Sequence, residues 1–361
     1  MITAAGPSGK SRLVRGFLLF CATLLLLAAC TNGDGTTTKN DLMVLHGEAQ
    51  GTTFTIKYLD GLERDLSPSV DSLFRAMDRS LSLWDSTSTV SRFNASSDTF
   101  VSSDVHFRTV VSLSQHLWRI TDQAFDPTVL PLVRAWGLGK EGRTELDTAA
   151  VSTARSLVGM DRIRIAEGWR HSSVVPPEVT YHKADPAVQF DPNGIAQGYT
   201  VDLISLLIQR SGITDYMVEV GGETRCSGTN QEGDPWRMQI DKPVEKHVQQ
   251  AVVPLRGESL ATSGNYRKFI ELNGKRYGHT IDPRTGRPAM NALMSASVIA
   301  DDCATADAMG TALMVMGPEK AKAWLVHHPE LDAYLIIDDG RGGYLVWTTP
   351  NWPRYEDRIA R

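Results

Sequence analysis

Cysteine is scarce in this sequence, with four among 361 residues, and two of the four, Cys21 and Cys30, lie in the first thirty residues. A disulfide-rich scaffold is therefore excluded, and no group of cysteines and histidines has the spacing of a zinc site. The other two, Cys226 and Cys303, could pair in an oxidising compartment. Spacing along the chain does not show whether two cysteines come within bonding distance, so the sequence leaves their state open.

A surplus of positive charge is also missing. The 37 lysines and arginines are outnumbered by 42 aspartates and glutamates, the net charge is −5, and no block of basic residues interrupts the chain. A nucleic acid is therefore not an expected partner. Apolar residues make up 42% and charged residues 22% of the sequence, which is typical of a soluble globular protein.

Long apolar runs are absent except near the start, from Phe17 to Ala29. As a helix this run would span about 20 Å, less than the roughly 30 Å hydrocarbon core of a membrane, so it does not predict a transmembrane helix. Basic residues precede it, and it runs into Leu-Ala-Ala-Cys, the pattern of a bacterial lipoprotein signal. We expect residues 1–29 to be a signal peptide. We expect Cys30 to carry a lipid that anchors the protein on the periplasmic, extracytoplasmic side of a bacterial cell membrane.

The chain between Thr31 and Asn40 is rich in Gly, Thr, Asn and Asp and has no apolar periodicity. This composition predicts a flexible tether over residues 30–45. Because Thr31 follows the cysteine, the aspartate that often retains such proteins at the inner membrane is absent, and the choice of membrane stays open. No internal repeat or Gly/Ser linker divides the rest, so we expect a single domain over residues 46–350 and a C-terminal tail over residues 351–361.

Predicted helices and strands are interspersed without a strict βαβ rhythm. Apolar patterning predicts strands from Thr53 to Tyr58 and from Tyr216 to Val220, and a helix from about Gly194 to Arg210. The apolar stripe of this helix includes Leu203 and Leu206. We therefore predict an α+β fold in which mixed sheets pack against helices.

The segment from Ala304 to Met316 is rich in Ala, Leu and Met, which predicts a helix. Asp307 and Thr311 are four residues apart and therefore lie on one face of it. A carboxylate and a hydroxyl in apolar surroundings offer hard oxygen ligands, which suit magnesium. The alternative is a capping aspartate and a threonine that bonds back to a helix carbonyl. Taken alone, this segment leaves both interpretations open.

Six further stretches contain residue types suited to binding or catalysis: Gln50 to Phe54; Leu81 to Trp84 with Ser91 to Asn94; Ala124 to Val129; Phe190 to Tyr199 with Asp202; Gly221-Gly222-Glu223; and Thr262 to Tyr266, followed by His279 to Pro288. Each one alone has an ordinary structural explanation. A Gly-Gly pair after a strand is usually a turn, Asp191 before a helix is usually a cap, and a tryptophan at a helix end is usually part of the core.

Together and in this order, with Ala306-Asp307-Ala308-x-x-Thr311, these stretches resemble the FAD:protein FMN transferase family, the ApbE lipoproteins. The resemblance covers roughly residues 46–350, so it implies that the expected domain is a single catalytic domain. It implies a central cleft that binds FAD, with one Mg²⁺ ion on the pyrophosphate. The implied metal ligands are the backbone carbonyl of Gly194 and the side chains of Asp307 and Thr311. The implied flavin-nucleotide contacts are Gln50, Trp84, Ala124, Phe125, Asp126, Asp191, Gln197 and Ile281.

The resemblance also implies a reaction, in which FMN passes from FAD to a threonine hydroxyl of an acceptor protein and AMP is released. Magnesium would neutralise charge that grows on the pyrophosphate oxygens. A helix start near Gly194 would offer free N–H groups to the phosphates. His279 is the candidate general base for the threonine hydroxyl, because histidine side chains in general can accept a proton near neutral pH.

Three positions depart from the family pattern. Gln50 stands where many members have Met, Gln197 where they have Lys or Glu, and Gly310 where Asp or Ser is frequent, so a second metal ion is an open question. Two other functions compete with transfer: magnesium-dependent hydrolysis of FAD to FMN and AMP, and binding of flavin without catalysis. A binding lipoprotein would need Trp84 but has no need of a metal site together with His279. We therefore expect a transferase first, a hydrolase second and a pure binder third.

Overall fold

The computed structural model of the chain describes residues 41–138, 146–167, 178–243, 248–265, 269–272 and 275–352. Cys30 and the expected signal peptide lie outside the described residues, so their assignments stay predictions. In the part of the chain that is described, no helix combines the length and the apolar character needed to cross a membrane.

The described residues form eight α-helices and two short 3₁₀ helices. The α-helices are α1 (Ser67–Leu81), α2 (Thr89–Ala95), α3 (Val105–Ile120), α4 (Leu130–Trp136), α5 (Thr148–Arg155), α6 (Ala196–Arg210), α7 (Cys303–Met316) and α8 (Pro318–Leu325). The 3₁₀ helices are Pro127–Val129 and Met160–Arg162.

Seventeen strands are present among the described residues. The first nine are β1 (Asp41–Ala49), β2 (Thr52–Asp60), β3 (Thr99–Ser102), β4 (Ile163–Glu167), β5 (Val179–Lys183), β6 (Tyr216–Val220), β7 (Glu223–Ser227), β8 (Trp236–Asp241) and β9 (Gln249–Leu255). The others are β10 (Ser259–Gly264), β11 (Phe269–Leu272), β12 (Lys275–Gly278), β13 (Ile281–Asp282), β14 (Arg287–Pro288), β15 (Leu293–Ala300), β16 (Asp332–Asp338) and β17 (Tyr344–Thr348). Residues 41–45, which the sequence analysis assigned to the tether, belong to β1.

The main sheet has eight strands in the order β1-β2-β6-β7-β10-β15-β16-β17. The predicted α+β class is confirmed. The strand pairs of the described residues are all antiparallel, whereas the sequence analysis expected mixed sheets. Neighbouring strands are either joined by hairpins or separated by insertions that return the chain in the opposite direction, and hydrophobic patterning does not reveal that direction.

Helices α6 and α7 pack against each other and against neighbouring strands of the main sheet, α6 on β6 and β7 and α7 on β10 and β15. Helix α7 is apolar almost all round and is nearly completely buried, as expected for a helix enclosed by other elements. The predicted strands at Thr53 to Tyr58 and Tyr216 to Val220 are present as β2 and β6. These contacts place the predicted metal ligands inside the molecule, where two helices meet.

Helix α6 differs from its prediction in two ways. It begins at Ala196 rather than near Gly194, and its fully buried positions include Val201 and Ile204, whereas Leu206, a member of the predicted stripe, is 38% exposed. Leu203, another member of the predicted stripe, packs against the core. Because α6 is covered by both the sheet and α7, it also has a second apolar face, which the predicted stripe does not include.

The two cysteines of the described residues, Cys226 and Cys303, are buried and do not form a disulfide. Burial raises the pKa of both thiols well above the ordinary value. Both are therefore held in the protonated form, which is a poor nucleophile.

Candidate active site

The candidate site is built around a close crossing of α6 and α7. A Cβ on Gly198 would overlap the carbonyl oxygen of Cys303 and would lie 2.9 Å from the Cα of Ala304. Only glycine allows the two backbones to come this close. The crossing brings the start of α6 next to the turn of α7 that contains Asp307.

An unusual hydrogen bond frees a backbone carbonyl at this crossing. The N–H of Gly198 donates to Oδ2 of Asp307 at 3.2 Å. In a longer helix the same N–H would donate to the carbonyl of Gly194, four residues earlier. Because α6 begins at Ala196, the Gly194 carbonyl accepts no hydrogen bond from the part of the chain that is described.

Gly194 also lies beside Thr311, the second side chain that is expected to bind the metal. A Cβ on Gly194 would be 3.4 Å from Oγ1 of Thr311 and 3.4 Å from a ring carbon of Phe125. The structure therefore brings together Gly194, Thr311 and, through Gly198, Asp307, as the sequence analysis expected of a metal site.

Asp307 is a buried carboxylate with little compensation. It is 6% exposed, and among the described residues its carboxylate accepts one hydrogen bond, from the N–H of Gly198. Burial raises its pKa to about 7, opposed only by that hydrogen bond. A buried carboxylate is costly to ionise without a positive partner, and a divalent cation would provide one.

The oxygen atoms at the crossing fit magnesium. The Thr311 hydroxyl makes no hydrogen bond within the described residues, and the residue that caps α7 is Asp302, not Asp307. The alternative of a capping aspartate and a back-bonded threonine therefore does not describe this pair. A carboxylate, a hydroxyl and a free carbonyl form the hard oxygen set that magnesium prefers.

Position 310 has little room for a further acidic ligand. A Cβ on Gly310 would lie 2.9 Å from Oγ and 3.3 Å from Cβ of Ser263 in β10, so a larger side chain would have to displace that serine. In the described residues, no group of three or more His, Cys, Asp and Glu side chains is placed to hold a metal. A metal at the crossing would therefore depend on Asp307 together with neutral oxygens.

The helix start that was expected to offer free N–H groups to phosphate uses part of them internally. The N–H groups of Ile195 and Ala196 both donate to the carbonyl of Pro192, at 3.0 and 2.8 Å, and that of Gly198 donates to Asp307. The tight turn before α6 uses these donors internally. The N–H groups of Gly194 and Gln197 donate to no group of the described residues, so for these two the expected phosphate contact stays a prediction.

Two glutamine side chains lie along the first turns of α6. Gln50 and Gly51 form the two-residue turn between β1 and β2, with φ of +52° and +73°. The amide nitrogen of Gln50 donates to Oγ1 of Thr200 at 2.8 Å. The amide of Gln197 lies against Gly221, where a Cβ would be 2.8 Å from its nitrogen. A left-handed conformation is uncommon for glutamine, and the bond to α6 helps to hold it.

Asp191 is positioned by a pair of hydrogen bonds from Asn94 in α2. Oδ1 of Asn94 accepts from the N–H of Phe190 at 2.7 Å, and its Nδ2 donates to the Phe190 carbonyl at 2.9 Å. The N–H of Asp191 then donates to the carbonyl of Pro127 at 2.7 Å. The carboxylate accepts from the N–H of Asn193 at 2.9 Å, and burial raises its pKa to about 6. The sequence analysis singled out the stretch that contains Asn94 but gave Asn94 no role.

The segment from Ala124 to Asp126 is almost completely buried. Ala124 is 1%, Phe125 2% and Asp126 6% exposed. The Asp126 carboxylate caps a 3₁₀ helix by accepting from the N–H of Thr128 at 2.8 Å, and burial raises its pKa to about 6. Phe125 lies beside Gly194, as described above. These residues stay predicted flavin contacts, and the structure shows that the Asp126 carboxylate also supports the local fold.

Two other predicted residues, Trp84 and His279, are exposed. Trp84 is 79% exposed, and the N–H groups of Trp84 and Asp85 donate to the Oγ of Ser82, both at 3.3 Å. Its ring makes no ring contact or hydrogen bond with the described residues. The side chains predicted to contact the ligand are therefore not all in one buried cluster.

His279 is exposed, between β12 and β13. Its neighbour Thr280 donates to Oδ1 of Asn265 at 2.8 Å, just beyond the end of β10. Because Ser263 of β10 touches Gly310, this bond fixes the His279 segment to a strand that contacts α7. Ile281 is 5% exposed and belongs to an apolar cluster with Leu132.

Comparison with known proteins decides which family shares this arrangement. The family model described as "ApbE family" matches residues 50–335. The chain belongs to the ApbE family. A curated relative from Vibrio cholerae serotype O1, named FAD:protein FMN transferase, is 36% identical over 338 residues, which cover 91% of this chain and 96% of the relative. The predicted family is thereby confirmed.

Two solved structures of ApbE proteins share the fold. The flavin transferase ApbE from Vibrio cholerae has a TM-score of 0.76 at 33% identity, covering 88% of this chain and 99% of that chain. The apo form of the flavinyl transferase ApbE from Pseudomonas stutzeri has a TM-score of 0.77 at 32% identity, covering 88% and 97%. The described part of the chain therefore has the ApbE fold, and the crossing of α6 and α7 is part of that fold.

Proposed function

We propose that this chain is a magnesium-dependent FAD:protein FMN transferase that moves FMN from FAD to a threonine hydroxyl of an extracytoplasmic acceptor protein and releases AMP. The observation that carries the proposal is the set of three oxygens at the crossing of α6 and α7. Within the described residues, the Gly194 carbonyl accepts no hydrogen bond and the Asp307 carboxylate accepts one weak bond. The Thr311 hydroxyl lies beside Gly194. A protein that only binds flavin has no need of this arrangement.

Each protein group has a defined task in the proposed reaction. Asp307, Thr311 and the Gly194 carbonyl would hold magnesium, which supplies charge neutralisation at the pyrophosphate when it is bound. Trp84 offers a free aromatic face for a flavin or adenine ring. Asp191, fixed through Phe190 by Asn94, offers a carboxylate that can accept a hydrogen bond from a ribose or ribityl hydroxyl.

The proposed chemistry is a single displacement at the phosphorus of the FMN half. A bond forms between the threonine Oγ and this phosphorus, and the bond from the phosphorus to the bridging oxygen of the pyrophosphate breaks, so that AMP leaves. His279 would accept the proton of the threonine hydroxyl, which is the usual task of a general base near neutral pH. Its exposed segment suits a residue that must meet a second protein.

We propose further that the enzyme works outside the cytoplasm, anchored by a lipid on Cys30. This rests on the lipoprotein pattern of the first thirty residues. Replacing Cys30 with Ala should abolish acyl labelling and release the protein from membranes. A Cys30→Ala protein that still takes up labelled acyl chains would contradict the anchor.

The main experiment is in-gel flavin fluorescence of a candidate acceptor after incubation with the enzyme, FAD and magnesium, with AMP measured in the same samples. We expect a fluorescent acceptor band that is lost with excess EDTA and lost when the acceptor threonine is replaced by valine. AMP and free FMN without a labelled acceptor would indicate a pyrophosphatase instead. Bound flavin with neither product would indicate a pure binder.

A further inference from the structure

The start of α7 is held by two aspartates from different parts of the chain. Asp302, directly before α7, accepts a hydrogen bond from the N–H of Thr305 at 2.8 Å, the usual arrangement of an N-cap. Asp202, which lies in α6, accepts hydrogen bonds from the N–H groups of Cys303 and Ala304, both at 2.9 Å. The second aspartate therefore joins α7 to its neighbouring helix, which an ordinary cap does not do.

Arg225 in β7 fixes the Asp202 carboxylate from another direction. Its Nη1 donates to Oδ1 of Asp202, and the two side chains are 24% and 17% exposed. Because the carboxylate accepts hydrogen bonds from a guanidinium and from two backbone N–H groups, it has little freedom to rotate. Asp202 thus links α6, α7 and the main sheet.

Asp202 lies one helical turn beyond Gly198, on the same face of α6. Gly198 contacts the carbonyl of Cys303 and donates to Asp307, while Asp202 accepts from the N–H of Cys303. The two helices are therefore joined at two successive turns of α6. A shift of α7 along α6 would break the contacts of Asp202 and would move Asp307 and Thr311 together.

We propose that Asp202 is a positioning residue that sets the register of α7 against α6, and with it the separation of the Gly194 carbonyl from the side chains of Asp307 and Thr311. This inference rests on the proposed function, because its consequence is a change in metal affinity. Groups that orient metal ligands from outside the ligand shell typically change affinity about 10- to 100-fold when they are replaced.

The test compares Asp202→Asn with Asp302→Ala in the full-length chain, purified in detergent and saturated with FAD. Asp302→Ala is the matched control because it removes the N-cap of the same helix and keeps the Asp202 carboxylate, which accepts from Cys303, Ala304 and Arg225. Binding of Mn²⁺ is measured by electron paramagnetic resonance, and binding of Mg²⁺ by competition. We expect affinity to fall about tenfold or more in Asp202→Asn and to stay within about threefold of the wild type in Asp302→Ala. Near-UV circular dichroism and the metal-free melting temperature show whether each variant is folded.

Two further readouts separate positioning from general stability. In Asp202→Asn the magnesium concentration for half-maximal transfer should rise by the same factor as the dissociation constant, with recovery at high magnesium. Arg225→Lys keeps the charge but loses the planar donor, so it should shift metal affinity in the same direction by less. Equal metal affinity in wild type, Asp202→Asn and Asp302→Ala would overturn the positioning role. A wild type that binds neither ion with FAD present would overturn the metal site itself, and the inference with it.

Discussion

The crossing of α6 and α7 and the open segments around Trp84 and His279 are held in opposite ways. At the crossing, Gly198 donates to Asp307 and Asp202 accepts from the N–H of Cys303, and Asp307 is 6% exposed. Trp84 is 79% exposed, and His279 is also exposed. In the proposed reaction the first region needs a fixed oxygen set, whereas the second must accept FAD and an acceptor protein in turn.

This contrast separates two kinds of damage. A change at the crossing should remove chemistry while the flavin still binds, because the predicted flavin contacts extend well beyond the crossing. A change on the open segments should alter binding or proton transfer without unfolding the protein, because few packed contacts are lost there.

Replacing Asp307 with Asn should have the largest effect. The variant keeps the shape of the side chain but removes the charge proposed to hold magnesium. The rate of transfer should fall by at least about 10³-fold, which corresponds to the loss of several kcal/mol of transition-state stabilisation. FAD affinity, measured by flavin fluorescence, should stay within a few-fold of the wild type. The melting temperature without metal should not fall, because a poorly compensated buried carboxylate is removed.

Two controls belong to this experiment. Asp301→Asn makes the same substitution at an exposed residue of the preceding loop and should leave transfer unchanged. Thr311→Val deletes a neutral ligand and should give a partial loss that high magnesium restores. Full activity of Asp307→Asn, or of the wild type in excess EDTA, would show that the crossing is not the metal site.

Replacing His279 with Ala should lower transfer by about 10²- to 10⁴-fold, the usual contribution of a general base. FAD affinity and the melting temperature should change little, because the residue is exposed. Single-turnover labelling of the acceptor at saturating FAD is the measurement. His327→Ala removes another exposed histidine and serves as the control. An unchanged rate in His279→Ala would remove this residue from the mechanism.

Replacing Asn94 with Ala should affect both stability and binding, because Asn94 connects the packed core to Asp191. The substitution leaves the N–H and carbonyl of Phe190 without their partners, at a cost of about 2–4 kcal/mol in the free energy of unfolding. Urea unfolding measures this loss, and FAD titration should show weaker binding. Asn351→Ala, the same substitution at an exposed residue near the end of the described chain, should change neither quantity much. Normal FAD affinity in a destabilised Asn94→Ala protein would show that the position of Asp191 does not depend on the hydrogen bonds between Asn94 and Phe190.

Replacing Asp60 with Asn should reduce stability in a pH-dependent way and leave transfer unchanged. The Asp60 carboxylate accepts from Arg64 at 2.8 Å, and Arg64 donates to the carbonyl of Ser211, at the end of α6 far from Gly194. The hydrogen bond from Arg64 lowers the pKa of Asp60 to about 2. Since Arg64 is 38% exposed, we expect a contribution of only about 1–2 kcal/mol.

The sign of this effect follows from the lowered pKa of Asp60. The stabilisation is fully present above the ordinary pKa of an aspartate, and it disappears as the pH falls through about 2. The difference in unfolding free energy between the wild type and Asp60→Asn should therefore be constant from about pH 5 to 7 and fall to roughly half by pH 3. A difference that does not change with pH would assign the effect to packing instead of charge.

The sequence predicted the family, the α+β class and the residues of the crossing, because ordered motifs and a helical spacing of four residues are local information. Three features could not be read from it. Whether the carbonyl of Gly194 is free depends on where α6 begins. The apolar pattern placed the start of this helix two residues too early. The positioning roles of Asn94 and Asp202 depend on contacts with Phe190 and Cys303, which are distant in sequence. The buried side of α6 depends on which elements cover it.

Replacing Trp84 with Ala should have the smallest effect, confined to flavin affinity. The ring is 79% exposed, so its removal costs almost no packing. A stacked aromatic ring contributes about 0.5–1.5 kcal/mol beyond its buried area, so we expect FAD to bind about 2- to 10-fold more weakly. Trp84→Phe should recover much of this loss, and Leu62→Ala, at another exposed apolar residue, should cause none. The maximal transfer rate at saturating FAD should be unchanged, because Trp84 is expected to hold a ring and not the reacting phosphate. A large fall in melting temperature with normal FAD affinity would show that Trp84 belongs to the packed part of the molecule, and that the division between the two regions is drawn in the wrong place.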